Sequence, residues 1–214
     1  MKKLAKAIAV ASLASASVMG ANVASAEVEY SAQLDSMYLF RGQDQDVGGL
    51  ISASIDYSHD SGLYAGAWVA SAPEYDVYLG YWTELGDLEL DLGITSYAYP
   101  NAGSGVDSAT GLGEEVEAYV SLGFKGASFE YYHGLEALDE ATYMAVGYEY
   151  ENLSAKYGMN DDGFGAEYSH IDVTAGLTDE LSLTLSKAMD DSSATADAAV
   201  EDLQVLVTYT LPIK

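Results

Sequence analysis

The chain has 214 residues, no cysteine, 34 acidic against 8 basic side chains and a formal net charge of −26. That balance excludes a nucleic-acid partner, because phosphate binding needs clustered Lys and Arg. The missing thiols exclude disulfides and thiolate metal centres, and the 49% hydrophobic content, spread in alternation, excludes a disordered polyacid.

In chain order the first element is a leader. Lys2, Lys3 and Lys6 precede an apolar run over 7–18, and Ala24-Ser25-Ala26 forms a small-residue cleavage site. Residues 1–26 therefore read as a secretory signal peptide, too short in its apolar core to span a bilayer. Residues 27–214 read as one domain.

Alternation and turn residues then predict about twelve strands, at 28–41, 50–58, 63–71, 75–83, 87–97, 114–124, 127–132, 141–150, 153–159, 163–176, 180–189 and 201–211. The run "GDLELDLGI" at 86–94 shows the pattern: Leu88, Leu90, Leu92 and Ile94 fall on one face, Asp87, Glu89 and Asp91 on the other. One strand changes phase. Phe164, Ala166 and Tyr168 hold one parity and Ile171, Val173, Ala175 and Leu177 the other, which predicts a bulge near Ser169-His170 or a break there.

Long and short connections fall mostly on opposite parities, with the longest at 98–113 and two-residue turns at Lys125-Gly126 and Glu151-Asn152. An even strand count with short periplasmic turns and longer outer loops is the signature of a bacterial outer-membrane barrel. The expected fold is thus an all-β, closed antiparallel transmembrane barrel with both termini periplasmic, and the expected location is the bacterial outer membrane. A soluble β-sandwich with the leucines in its core is the alternative. The 18 tyrosines favour the barrel, since Tyr30, Phe40, Tyr57, Tyr75, Tyr81, Tyr131, Tyr157 and Tyr209 share the apolar phase and suit aromatic girdles.

The opposite phase is then the lumen. It receives Glu29, Asp35, Asp56, Asp76, Asp87, Glu89, Asp91, Glu115, Glu117 and Glu130, against the cations Arg41 and Lys156. Arg41 closes the first predicted strand and is expected to pair with Asp56 or a loop aspartate. Tyr64, Trp68, Tyr78 and Trp82 share the lumen phase and are expected to crowd it.

Residues 36–100 carry the series Tyr38-x-Phe40-Arg41-Gly42, Asp56-Tyr57-x-His59, Ser61-Gly62-x-Tyr64-x-Gly66-x-Trp68, Tyr78-x-Gly80-Tyr81 and Tyr97-x-Tyr99-Pro100. This series resembles the TorF-type porin family, also known as Gcw-type conserved proteobacterial outer-membrane proteins. The resemblance implies an outer-membrane barrel with no established catalytic residues. The chain departs from the usual barrel pattern in ending "VTYTLPIK", without the terminal aromatic that the barrel-assembly machinery reads.

No catalytic, cofactor or metal site emerges. His59, His133 and His170 lack metal-ligand spacing, and no G-x-S-x-G accompanies a candidate serine dyad. The glycines do not form a nucleotide-binding loop and read as bends and turns. Acidic loops at 44–46, 160–162 and 190–191 offer hard oxygen ligands but not a twelve-residue calcium loop. Such carboxylates suit divalent bridging to lipopolysaccharide. The expected function is a porin-like channel for passive diffusion of small hydrophilic solutes, preferring cations. The alternative is a non-conducting structural or adhesive barrel.

Overall fold

The computed structural model describes residues 26–100, 109–163, 167–189 and 202–213. Residues 1–25 of the expected leader at 1–26, the centre of the 98–113 connection, Phe164 and Ala166, and Asp190 and Asp191 lie outside the described residues.

The strands in chain order are β1 (Glu27–Asp35), β2 (Leu39–Phe40), β3 (Gln43–Asp44), β4 (Leu50–Ser58), β5 (Leu63–Ala70), β6 (Glu74–Leu85), β7 (Leu88–Ala98), β8 (Glu115–Phe124), β9 (Ala127–Glu136), β10 (Thr142–Tyr150), β11 (Leu153–Asp161), β12 (Glu167–Gly176), β13 (Leu181–Met189) and β14 (Gln204–Thr210). Twelve of them close an antiparallel barrel, with β1 between β4 and β14, while β2 and β3 pair only with each other. Closure removes the sheet edges that lipid could not satisfy.

The side-chain parity explains which face is which. Leu79, Ile94, Val146 and Val173 are exposed, whereas Asp76, Thr95, Glu117 and His170 are buried. A soluble sandwich would show the reverse, so the alternative with a leucine core is overturned. The exposed apolar band around the whole barrel is far larger than a soluble monomer presents and is the surface of a membrane-spanning barrel, which in bacteria occupies the outer membrane. Tyr30, Tyr57, Tyr81, Tyr131, Tyr157 and Tyr209 stand on this outer face.

At one end the strands join through tight turns. Lys125 and Gly126 both adopt positive φ, at 51° and 86°, as a two-residue hairpin turn matched to strand twist requires. The start of β1 and the end of β14 lie at this same end. The β1–β14 seam is short: Gln33, Leu34 and Asp35 face Thr210, Tyr209 and Thr208, extended by Ser36 N–H to Val207 O and Leu211 N–H to Ala32 O. Pro212 follows and has no N–H with which to carry the ladder further.

Three expectations need correction. The first strand ends at Asp35, not at residue 41, because the chain leaves the wall for the lumen after Ser36, its last residue bonded to β14. β9 runs on to Glu136, so His133 lies within a strand and not at a loop start. There is no bulge at Ser169-His170: β12 pairs in unbroken register with β11, from Asp161 opposite Glu167 to Leu153 opposite Ala175, and with β13. Tyr168 is a buried lumen residue of the same phase as His170. The phase change in the sequence has a simpler cause than a bulge or break: the interior takes an aromatic side chain as well as the lipid face does.

Candidate functional site in the barrel lumen

The first connection, residues 36–49, does not project from the barrel. Its short hairpin, with Leu39 opposite Asp44 and Phe40 opposite Gln43, turns at Arg41 and Gly42, which have φ of 48° and 83°. Tyr38 and Leu39 are buried. In the twelve-strand order, β9 is six strands from β1 in either direction, hence on the opposite wall. Arg41 reaches that wall.

There Arg41 Nη1 donates to Glu117 Oε1 at 2.9 Å and Nη2 donates to Oε2 at 2.6 Å. The guanidinium carbon lies 5.0 Å from the centre of the Tyr132 ring and 4.4 Å from that of Tyr143, on β9 and β10. A planar, delocalised cation suits such a place, because it satisfies a carboxylate with two prongs and stacks on rings at once. The rings form a ladder across the wall: Tyr119 to Tyr132 at 5.2 Å, Tyr132 to Tyr143 at 6.0 Å, and Tyr143 to His170 at 5.9 Å. Gly42 closes against the last of these, and a Cβ at Gly42 would overlap that of His170. The expected pairing of Arg41 with Asp56 or a loop aspartate is therefore replaced by a pair across the lumen, and Phe40 leaves the lipid face for the loop.

The root of the loop is held by β5 and β6. Tyr38 OH donates to Glu74 Oε2 at 2.8 Å, and Tyr99 OH donates to Glu74 Oε1 at 3.1 Å. Tyr38 and Trp68 lie 6.3 Å apart, ring to ring. Burial, followed by the charge of Glu74, pushes the Tyr38 hydroxyl well above its ordinary range, so it remains a donor.

The buried and half-buried lumen carboxylates, predicted or not, divide into two groups. On the wall that Arg41 reaches, carboxylates have cationic or histidine partners. Glu117 takes Arg41 and also Tyr97 OH, at 2.7 Å. Glu130 takes Lys156 Nζ at 3.0 and 3.2 Å. Asp172 takes His170 Nδ1 at 3.1 Å and Ser186 Oγ at 2.5 Å. On the wall nearer the loop's root, carboxylates meet neutral donors. Asp91 accepts from Tyr64 OH at 2.6 Å, and Tyr64 OH also bonds Tyr119 OH. Asp56 accepts from Ser54 Oγ at 2.6 Å and from Tyr78 OH. Asp35 accepts from Gln33 Nε2 and Thr208 Oγ1. Asp76 is fully buried and neither of its oxygens has a hydrogen-bond partner among the described residues.

Other predicted residues are placed differently. Asp87 is not on the wall: it sits in the β6–β7 turn, 2.9 Å from Lys125 Nζ, with both side chains 65% exposed. The alternation ran one residue past the strand, into the turn that Gly86 requires. Glu89 keeps the Asp91 phase, at the exposed turn end. Glu29 faces Asp56 across β1 and β4, and Glu115 opens β8. His59 caps its own turn through Ser61. Gly66 leaves room for the Tyr78 ring, which a Cβ would overlap.

Glu74, Asp172, Tyr97, Tyr119, Tyr132 and Tyr143 were missed as lumen residues with a role. Tyr119 carried a signal, since it shares the phase of Glu115 and Glu117. Glu74 did not, because it read as part of a three-residue loop.

In sequence, no curated protein matches the chain. In structure, it is similar to the KdgM porin, at 7% identity and a TM-score of 0.51, over 88% of this chain and 100% of that one. It also matches OccK5 (OpdH) of Pseudomonas aeruginosa, at 12% identity and a TM-score of 0.42, over 79% of this chain and 61% of that one. OccAB3 of Acinetobacter baumannii matches at 12% identity and a TM-score of 0.42, over 87% and 64% respectively. The KdgM likeness shows a shared porin barrel fold. The model of the Gcw_chp family, described as a bacterial protein of unknown function, matches residues 20–210, and the chain belongs to that family.

Proposed function

We propose that the barrel is a porin-like channel of the outer membrane, as its resemblance to TorF-type porins implies, and that it passes small hydrophilic solutes with a preference for cations. One observation carries the sign of the preference. Asp35, Asp56, Glu74, Asp76 and Asp91 line one side of the lumen and meet only neutral donors or none among the described residues. Uncompensated carboxylates on low-dielectric walls focus a negative potential and concentrate cations. In this reading the tight-turn end is periplasmic, the chain is delivered by the barrel-assembly machinery, and acidic loops contact lipopolysaccharide through divalent ions.

A second reading is favoured by the packing at the loop. Tyr97, Glu117, Tyr132, Tyr143, His170 and Thr208 are all buried around it, and twelve strands enclose less space than the open 16–18-stranded porins. With the loop seated, the barrel would act as a closed structural or adhesive surface protein. Reversal potentials in a planar bilayer under a salt gradient separate the two. A cation-selective current supports the channel. Absence of current, in both the native chain and a chain whose loop is released, supports the closed barrel.

A further inference from the structure

We propose that Asp76, with Thr95 beside it, holds a small monovalent cation inside the lumen. Asp76 lies on β6 with its side chain wholly buried, and both carboxylate oxygens lack a partner among the described residues. Thr95 on β7 is 1% exposed, and its hydroxyl likewise has no partner. The register makes them diagonal neighbours on one face, since Asp76 is opposite Tyr97 and Tyr78 is opposite Thr95. Three orphaned oxygen atoms from two adjacent strands thus share one buried patch of the lumen face.

The charge balance calls for a cation. A buried carboxylate without a counter-charge is strongly disfavoured, and Glu74, two residues along the same face, adds a second negative group. The described residues contain four Lys and Arg side chains. Arg41 is committed to Glu117, Lys156 to Glu130 and Lys125 to Asp87, and Lys187 stands on the exposed face of β13. None bonds Asp76.

The donor set selects the class of ion. One free carboxylate and one hydroxyl are hard oxygen ligands, too few for calcium, which takes six to eight oxygens. No group of three or more His, Cys, Asp or Glu able to hold a metal ion occurs among the described residues. Sodium, keeping part of its hydration, fits. Trp68 and Tyr97 are the cross-strand partners of Asp76 on either side, so the neighbouring side chains add no positive charge.

The site rests on the proposed sign of the lumen charge, but its occupancy does not require current, so it is tested on the folded barrel in detergent. The heat-induced band shift is followed in sodium chloride and in tetramethylammonium chloride at equal ionic strength, which equalises screening. Native protein should unfold at higher temperature in sodium. Asp76→Asn should abolish that increment and Thr95→Val should reduce it, whereas Asp139→Asn, on an exposed loop, should keep it. Sodium-23 relaxation should show bound ion in the native protein and none in Asp76→Asn. Equal transitions in the two salts would overturn the proposal. So would a protonated-carboxyl infrared band at neutral pH that Asp76→Asn removes, since Asp76 would then be neutral without an ion. A channel that fails to conduct but keeps the sodium increment would overturn the conduction reading alone.

Discussion

Arg41 and Glu117 form a two-pronged ion pair across the barrel, joining a loop between β1 and β4 to the far wall at β8. Their side chains are only 9% and 3% exposed. A buried carboxylate that loses its cation is left with its desolvation cost, about 3–5 kcal/mol. Arg41→Ala should therefore lower the band-shift temperature of the folded barrel. It should also free the loop and raise single-channel conductance several-fold. Arg41→Lys should rescue little, because an ammonium cannot reproduce both prongs and the ring contacts.

Gly42 gives a test that leaves every charge in place. Its φ of 83° and its contact with His170 exclude a side chain. Gly42→Ala should cost about 1–3 kcal/mol in local strain and unseat the tip while the barrel still closes. Near-ultraviolet circular dichroism of the tyrosine ladder should weaken. The heat-resistant fold on gels should persist.

Selectivity should follow the wall and not the turn. Asp56→Asn with Asp91→Asn removes two carboxylates that meet neutral donors only. The reversal potential should move toward zero, and the native preference should itself weaken as salt rises. Asp87→Asn, at an exposed turn beside Lys125, should change it little. An indifferent response to the strand pair would refute the cation path.

Orientation is tested in intact cells. A protease site inserted at Lys125-Gly126 should be protected, because that tight turn is at the proposed periplasmic end. A site near Ser104, within the longest connection, should be cut. The reverse pattern would invert the proposed topology.

Much of this barrel is determined locally. A two-residue period places Leu88, Leu90, Leu92 and Ile94 on one side of β7 and Asp91 on the other, and glycine-bearing turns such as Lys125-Gly126 mark where strands reverse. Those signals depend on neighbours within a few residues, so twelve strands and their faces are legible without coordinates. What they do not encode is long-range pairing. Residues 36–41 continue the apolar character of a strand and residues 42–49 have the polar, glycine-containing character of any loop, and nothing local says that the segment turns inward. The pairing of Arg41 with Glu117, 76 positions away, exists only once closure puts β8, β9 and β10 opposite β1. The expected bulge or break at Ser169-His170 likewise comes from reading the aromatic parity of Tyr168 as apolar, although an aromatic ring is at home against lipid and in a packed lumen alike. Tertiary structure decides between them because only there does the ring meet a particular wall.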